Sequence, residues 1–248
     1  MKNEQLDNLL RQWASLGVGF DIQPASGTID VERLLLETSR HIPSMPRLFV
    51  MAATWLHTYG DLIAKHRLKR LIRDELEAEY QSVLGLLLDT AQQGTHPLEF
   101  QSVIKDLKPA LHSRPLFETA SRNKGLTTLA KRKASPLARK WNLWSQEIEF
   151  KDDALRPASW AIANHPALRT RADFRGDLRA SILAALRHDQ GAGQSESRLA
   201  ELAGGSRAQV RAALRNLKIT GRVQTQQALR ANRREIFLKS EGEYKGVG

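Results

Sequence analysis

At 248 residues with 41% hydrophobic side chains, the chain can bury a substantial core, which excludes an intrinsically disordered protein. It contains no cysteine, so disulfides and thiolate zinc sites are excluded, and its net charge of +11 favours a polyanionic partner. The longest apolar run, Leu48 to Leu56, is far short of the ~20 residues that cross a bilayer, and the first residues lack the apolar core of a signal peptide; a cytoplasmic protein with no membrane partner is expected.

Residues 3–16 place Leu6, Leu9, Leu10 and Trp13 at helical spacing, and Gly17, Gly19, Pro24 and Gly27 end the pattern. Asp30 is positioned to cap a helix through Leu34, Leu35 and Leu36, and Pro46 to open an apolar helix over 48–59. Residues 61–88 read as one long helix or two. In their middle, Lys65 to Glu79 sets cations three or four residues from carboxylates, which predicts a solvated helix face that pairs with itself. Pro97 and Pro109 mark the next breaks. His57 and His66, nine apart, fall on opposite sides of a continuous helix, and no metal site is expected.

The charge is unevenly distributed. Residues 1–104 carry 10 cations and 13 carboxylates, whereas 105–140 carry 10 and 2, and 168–240 carry 15 and 6. The front hundred residues therefore suit dimerisation or a protein partner better than nucleic acid. The basic block 105–140, with Arg122, Lys124, Lys131, Arg132, Lys133, Arg139 and Lys140, reads equally well as a solvated face or as a second surface for a DNA backbone. Trp141 and Trp144, three apart, suggest a packed helix shoulder. Glu147, Glu149 and Lys151 contain the Glu-x-Lys of metal-dependent nucleases, but the surrounding sequence reads helical and lacks the upstream aspartate, so an acidic surface patch is expected. Residues 155–168, with Trp160 and Ile162, read as a docked connector.

The last third carries the strongest pattern. Asp177 to His188 places Leu178, Ile182, Leu183 and Leu186 on one face, and residues 199–217 read as two short helices joined by a glycine turn. In the second of these Ser206 is a good N-cap, while Val210, Ala213, Leu214 and Leu217 form a buried stripe. Beside the stripe Arg207, Arg211, Arg215 and Lys218 recur at steps of four, four and three, where guanidinium groups reach phosphates or guanine edges. Gly221 ends the helix, and residues 222–227 face 235–239 across an arginine-rich connection, the pattern of a hairpin with a basic tip.

This order of helices and hairpin, together with the sequence from Ser206 to Gly221, resembles winged helix-turn-helix transcriptional regulators, the GntR type above all, over roughly residues 176–239. The resemblance implies operator contacts from Ser206, Arg207 and Arg211. Ala208 and Ala212 stand where a polar base-reading side chain is expected, and the module comes last in the chain rather than first as in the GntR type. The expected architecture is mainly α: a helical domain over 1–167, a C-terminal winged helix (three helices plus a β-hairpin wing) over 168–240, and a flexible tail over 241–248. The expected function is sequence-specific binding of double-stranded DNA as a homodimer, by a transcriptional repressor or an autoregulating, antitoxin-like regulator. Ser206, Arg207, Gln209, Arg211, Arg215 and Lys218 would meet the groove, and Arg230, Arg233 and Arg234 the adjoining backbone. No catalytic residue, metal or cofactor is expected. The alternative is a winged-helix adaptor docking proteins within a nucleic-acid-associated assembly.

Overall fold

The computed structural model describes residues 2–94, 98–227 and 234–239. The front of this mainly helical molecule is built from α1 (Lys2–Ser15), α2 (Val31–His41), α3 (Pro46–Tyr59), α4 (Lys65–Glu75) and α5 (Ala78–Ala91). Local chemistry sets the boundaries. Asp30 accepts the Arg33 amide at 3.3 Å and caps α2, and Pro46 occupies the first turn of α3, where a missing N–H costs nothing. At Leu76 the backbone turns extended, so the stretch that read as one helix or two is two. Trp13 and Trp55 meet edge to face at 5.6 Å in the centre of this body. Both indoles are satisfied, Trp13 donating to Thr38 Oγ1 at 2.9 Å and Trp55 to the Leu16 carbonyl at 3.0 Å, so two large apolar surfaces are buried without an orphaned N–H.

After α6 (Gln101–Ile104), strands β1 (Arg114–Pro115) and β2 (Leu143–Trp144) pair in parallel. Between them run α7 (Glu118–Ser121), α8 (Lys124–Lys133) and α9 (Pro136–Lys140). The helix shoulder expected of Trp141 and Trp144 does not form: α9 ends at Lys140, Asn142 takes a left-handed φ of 55°, and Trp144 departs on β2. Trp141 is buried over Gly85 and donates to Asp89 Oδ2 at 3.0 Å, whereas Trp144 stays half-buried beneath the Lys131 ammonium. Residues 145–151 are not helical either. Ile148 and Phe150 turn partly inward while Glu147, Glu149 and Lys151 point out, a period of two that suits extended chain. Phe150 stacks on the His57 ring at 4.1 Å, which occupies that histidine in packing. The connector is docked: Arg156 N–H donates to the Gly17 carbonyl at 2.7 Å, Val18 and Leu155 form an isolated bridge, and Trp160 packs on the front core. It contains α10 (Ala158–Asn164) and leads into α11 (Ala167–Phe174).

A second core follows, from α12 (Leu178–His188), α13 (Glu196–Ala203), α14 (Arg207–Ile219) and the antiparallel pair β3 (Val223–Gln227) and β4 (Arg234–Leu238), whose register sets Val223 opposite Leu238 and Gln227 opposite Arg234. Ile182, Leu199, Val210, Leu217, Val223 and Ile236 are buried in it. Helix α11 serves both cores, Leu168 packing in the first and Phe174 in the second, and Ala64, just before α4, packs in the second.

The expectation of a solvated, self-paired face on α4 holds at its last turn, where exposed Arg73 pairs with Asp74 at 2.8 Å, and is overturned at Arg67 and Arg70. Arg67 is 0% exposed and Arg70 6%. Leu68 and Leu71 of the same helix are buried in the front core, so their flanks carry the two arginines into the seam between the cores. Arg67 donates to Asp30 at 2.7 Å, to Glu32 at 3.1 Å and to Asp189, at the end of α12, at 3.0 Å. Arg70 reaches Asp189 at 2.9 Å, and Arg171 of α11 holds both oxygens of Glu32. Four buried or half-buried arginines, counting Arg33, thus meet Asp30, Glu32, Glu75 and Asp189 with no net charge. Burial alone would push the Asp30 and Asp189 carboxyls up, but the hydrogen bonds and charge of Arg67 outweigh it and hold both below the usual carboxylate range. The Glu32 carboxyl is lowered in the same way, chiefly by Arg171. Two glycines close the seam at the backbone level. Gly176 (φ 70°) and Gly204 (φ 79°) lie so near the Ile63 and His66 carbonyls that a Cβ on either would sit 2.3 Å from the oxygen.

Candidate nucleic-acid interface

Helix α14 is held from behind and open in front. Its apolar stripe packs on α12, α13 and β3, and α4 supports α12 and α13 from the far side. The opposite face, with Arg207, Ala208, Arg211, Ala212, Arg215 and Lys218, is exposed along its whole length. Local chemistry fixes its start. The Ser206 hydroxyl accepts the Gln209 amide at 3.3 Å, and the Gln209 side chain accepts the Ser206 amide at 3.0 Å, a capping box that satisfies two otherwise orphaned donors. Ser206→Ala is expected to cost about 1 kcal/mol in urea denaturation, the usual value of a cap. A loss under about 0.3 kcal/mol would mean that the box is not formed in solution.

The capping box also narrows what Gln209 can do. Its amide oxygen is engaged, leaving the NH2 group to donate outward. Arg211 Nε donates to Glu196 of α13 at 3.1 Å in a pair that is more than one-third exposed on each side, so the bond is weak enough to exchange for a phosphate. Among the described residues, Arg207, Arg215 and Lys218 have no ion pair. Asn216, on the flank, accepts from Arg179 of α12 at 3.1 Å and so helps lock α14 to its neighbour.

The hairpin brings β4 back against the turn before α13, with the Ile236 carbonyl pressed onto Gly193, while Gln224, Thr225 and Gln226 stay exposed on β3. Arg230 and Arg233 lie outside the described residues, as does the tail 241–248; Arg234 is placed by its backbone, opposite Gln227 on β4. In the basic block, α8 buries none of its side chains: Leu126 and Leu129 are 48% and 37% exposed beside Lys124, Lys131, Arg132 and Lys133. Among the described residues there is no cluster of three metal-ligating side chains, and no helix is long and apolar enough to cross a membrane.

Comparison with family models, with curated proteins and with solved structures returns no match.

Sequence reasoning missed the seam. The available signal was Arg67 and Arg70 spaced by three, beside the run Arg187-His188-Asp189 that ends α12. Nothing in either segment says that they meet, because Arg67 and Asp189 are 122 positions apart.

Proposed function

We propose that residues 176–239 form a winged helix-turn-helix of the kind found in transcriptional regulators, and that the protein binds double-stranded DNA sequence-specifically as a repressor or autoregulating, antitoxin-like regulator. The observation that carries this reading is the outer face of α14, capped at its start and lined with four exposed cations, on a helix whose Val210, Leu214 and Leu217 are buried in its own core. A helix end with free N–H groups and guanidinium groups at one-turn spacing suits a major groove. Asp177, Ser195 and Ser206 cap α12, α13 and α14, which supports a rigid reader rather than one that folds on contact. One such module reads few base pairs, so a homodimer on inverted half-sites supplies the specificity, with the front body as the dimer contact.

The test is a titration of the full chain against the duplex upstream of its own gene and an unrelated duplex, at about 50 and 200 mM salt, where phosphate-driven binding weakens steeply. Preference for the upstream duplex is expected to survive the higher salt. Arg211→Ala and Arg215→Ala are each expected to weaken that preference by about 1–3 kcal/mol if they touch bases, whereas Lys218→Ala should weaken both duplexes alike and reduce the salt slope by about one. Equal, salt-fragile binding to both duplexes would overturn the regulator in favour of the adaptor.

A further inference from the structure

Between the end of α3, the turn that follows it, α10 and α11 lies a cavity of about 270 Å³. Its walls are mainly apolar: Trp55 from α3, Leu62 from the turn, Ala161 and Ile162 from α10, and Leu168 and Ala172 from α11. An apolar cavity of about 150 Å³ admits one benzene ring, so this one has room for two fused rings. Its polar lining is confined to one short stretch of chain, Thr58, Tyr59 and Asp61. None of the described lining residues is cationic.

What these three groups offer is acceptors. The Thr58 hydroxyl gives its proton to the Thr54 carbonyl at 3.1 Å, which leaves its lone pairs free to accept. The half-buried Tyr59 ring tilts against Trp55 at 5.5 Å, and its hydroxyl has no partner among the described residues. Asp61 is half-buried too, and its carboxylate, unlike the acids of the seam, has neither a hydrogen bond nor an ion pair among the described residues. All three lie at the carbonyl end of α3, a 14-residue helix, where the macrodipole adds partial negative charge. An unpaired carboxylate, two aromatic rings and a helix C-terminus favour a cation, and the apolar walls favour one attached to an apolar body.

We infer that this cavity binds a small aromatic amine in its ammonium form, with its ring between Leu62, Ile162 and Leu168 and its N–H groups given to Asp61, Thr58 and Tyr59. An ammonium has three donors and no acceptor, which matches this set, whereas an uncharged guest leaves the Asp61 carboxylate without a counter-ion. Helix α11 packs in both cores, so a ring bound against Leu168 and Ala172 holds α10 and α11 together and steadies the connector. This site is distinct from the face of α14, and its test does not depend on DNA.

The experiment is calorimetric titration and thermal unfolding of the full chain with tryptamine and phenethylamine, and with tryptophol and indolepropionate, in which a hydroxyl and a carboxylate replace the ammonium. Saturable binding near one per chain is expected for at least one of the amines, with the unfolding midpoint raised by about 2 °C or more, and binding at least about tenfold weaker for the alcohol and weaker still for the acid. Asp61→Asn should bring the amine down to the level of the alcohol. Ala172→Leu, which fills the cavity from its exposed rim, should abolish the binding of both, while Arg215→Gln on α14 should leave it intact. If Ala172→Leu fails to fold, Ala158→Leu on α10 carries the test. Equal binding of amine, alcohol and acid means simple apolar partition and overturns the proposal. Amine binding unchanged in Asp61→Asn or in the cavity-filling variant overturns it equally, as does the absence of saturable binding by either amine.

Discussion

Replacing Arg67 with methionine is expected to destabilise the folded chain by about 3–5 kcal/mol at neutral pH, measured by urea denaturation. Methionine keeps much of the length and loses the charge, so the change isolates electrostatics from packing. Arg67 is fully buried and bonds three carboxylates, Asp30, Glu32 and Asp189. Its removal leaves these acids in a low-dielectric seam with fewer cations, and the penalty is that of uncompensated buried charge rather than the loss of one bond. The pH dependence gives a second signature. In the native protein the three carboxyls are held below their unfolded values, so their stabilisation is fully present above the unfolded carboxylate pKa of about 4 and is lost as the pH falls through the folded values. In the variant burial is less opposed, the folded values rise, and protonation relieves the seam. The difference between the two proteins should therefore shrink on acidification. A cost under about 1 kcal/mol with no pH dependence would mean that water fills the seam and screens the charges.

Gly204→Ala is the other change with a large expected effect, about 2–5 kcal/mol. The left-handed φ of 79° is strained for any side chain, and the added Cβ would stand 2.3 Å from the His66 carbonyl oxygen and 2.8 Å from its carbon. Both are backbone atoms at the start of α4, so neither can swing aside. The turn between α13 and α14 must then lift from α4. Amide hydrogen exchange should show protection falling in α4 and in α12 to α14 while α1 to α3 keep theirs. Gly204→Asn separates the two contributions, since asparagine tolerates the left-handed region but still carries the Cβ. Stability equal to that of the native protein in Gly204→Asn would show that the turn does not rest on α4 in solution.

Much of the C-terminal region was legible because its signals are local. Ser206 caps, Val210, Leu214 and Leu217 are buried, and Arg207, Arg211, Arg215 and Lys218 emerge on the other side, each dictated by helical period within a dozen residues. Asp30 and Pro46 announced their helices for the same reason. The failures share a different cause. Arg67 and Arg70 sit near carboxylates in sequence, and that spacing looks the same whether the partners are on the same helix or across the molecule. The spacing of Trp141 and Trp144 predicts a helix because nothing before Trp144 marks a stop; the stop is Asn142 adopting positive φ, which asparagine permits but does not require. The alternation that makes 147–151 extended is only five residues long and is flanked by sequence of helical character. The cavity beside Asp61 gives no signal at all, since it is a product of packing between distant segments.

Helix α4 makes the C-terminal region a poor unit for recombination. A transplanted segment beginning at residue 168 would arrive without Ala64 from its own core, with Asp189 stripped of Arg67 and Arg70, and with Gly176 and Gly204 facing carbonyls no longer present. A recipient scaffold would have to provide an equivalent arginine-bearing helix at the same angle. The heritable unit is therefore a discontinuous one, made of the terminal third of the chain and a single helix from its first third, and a crossover anywhere between residues 75 and 168 separates the two.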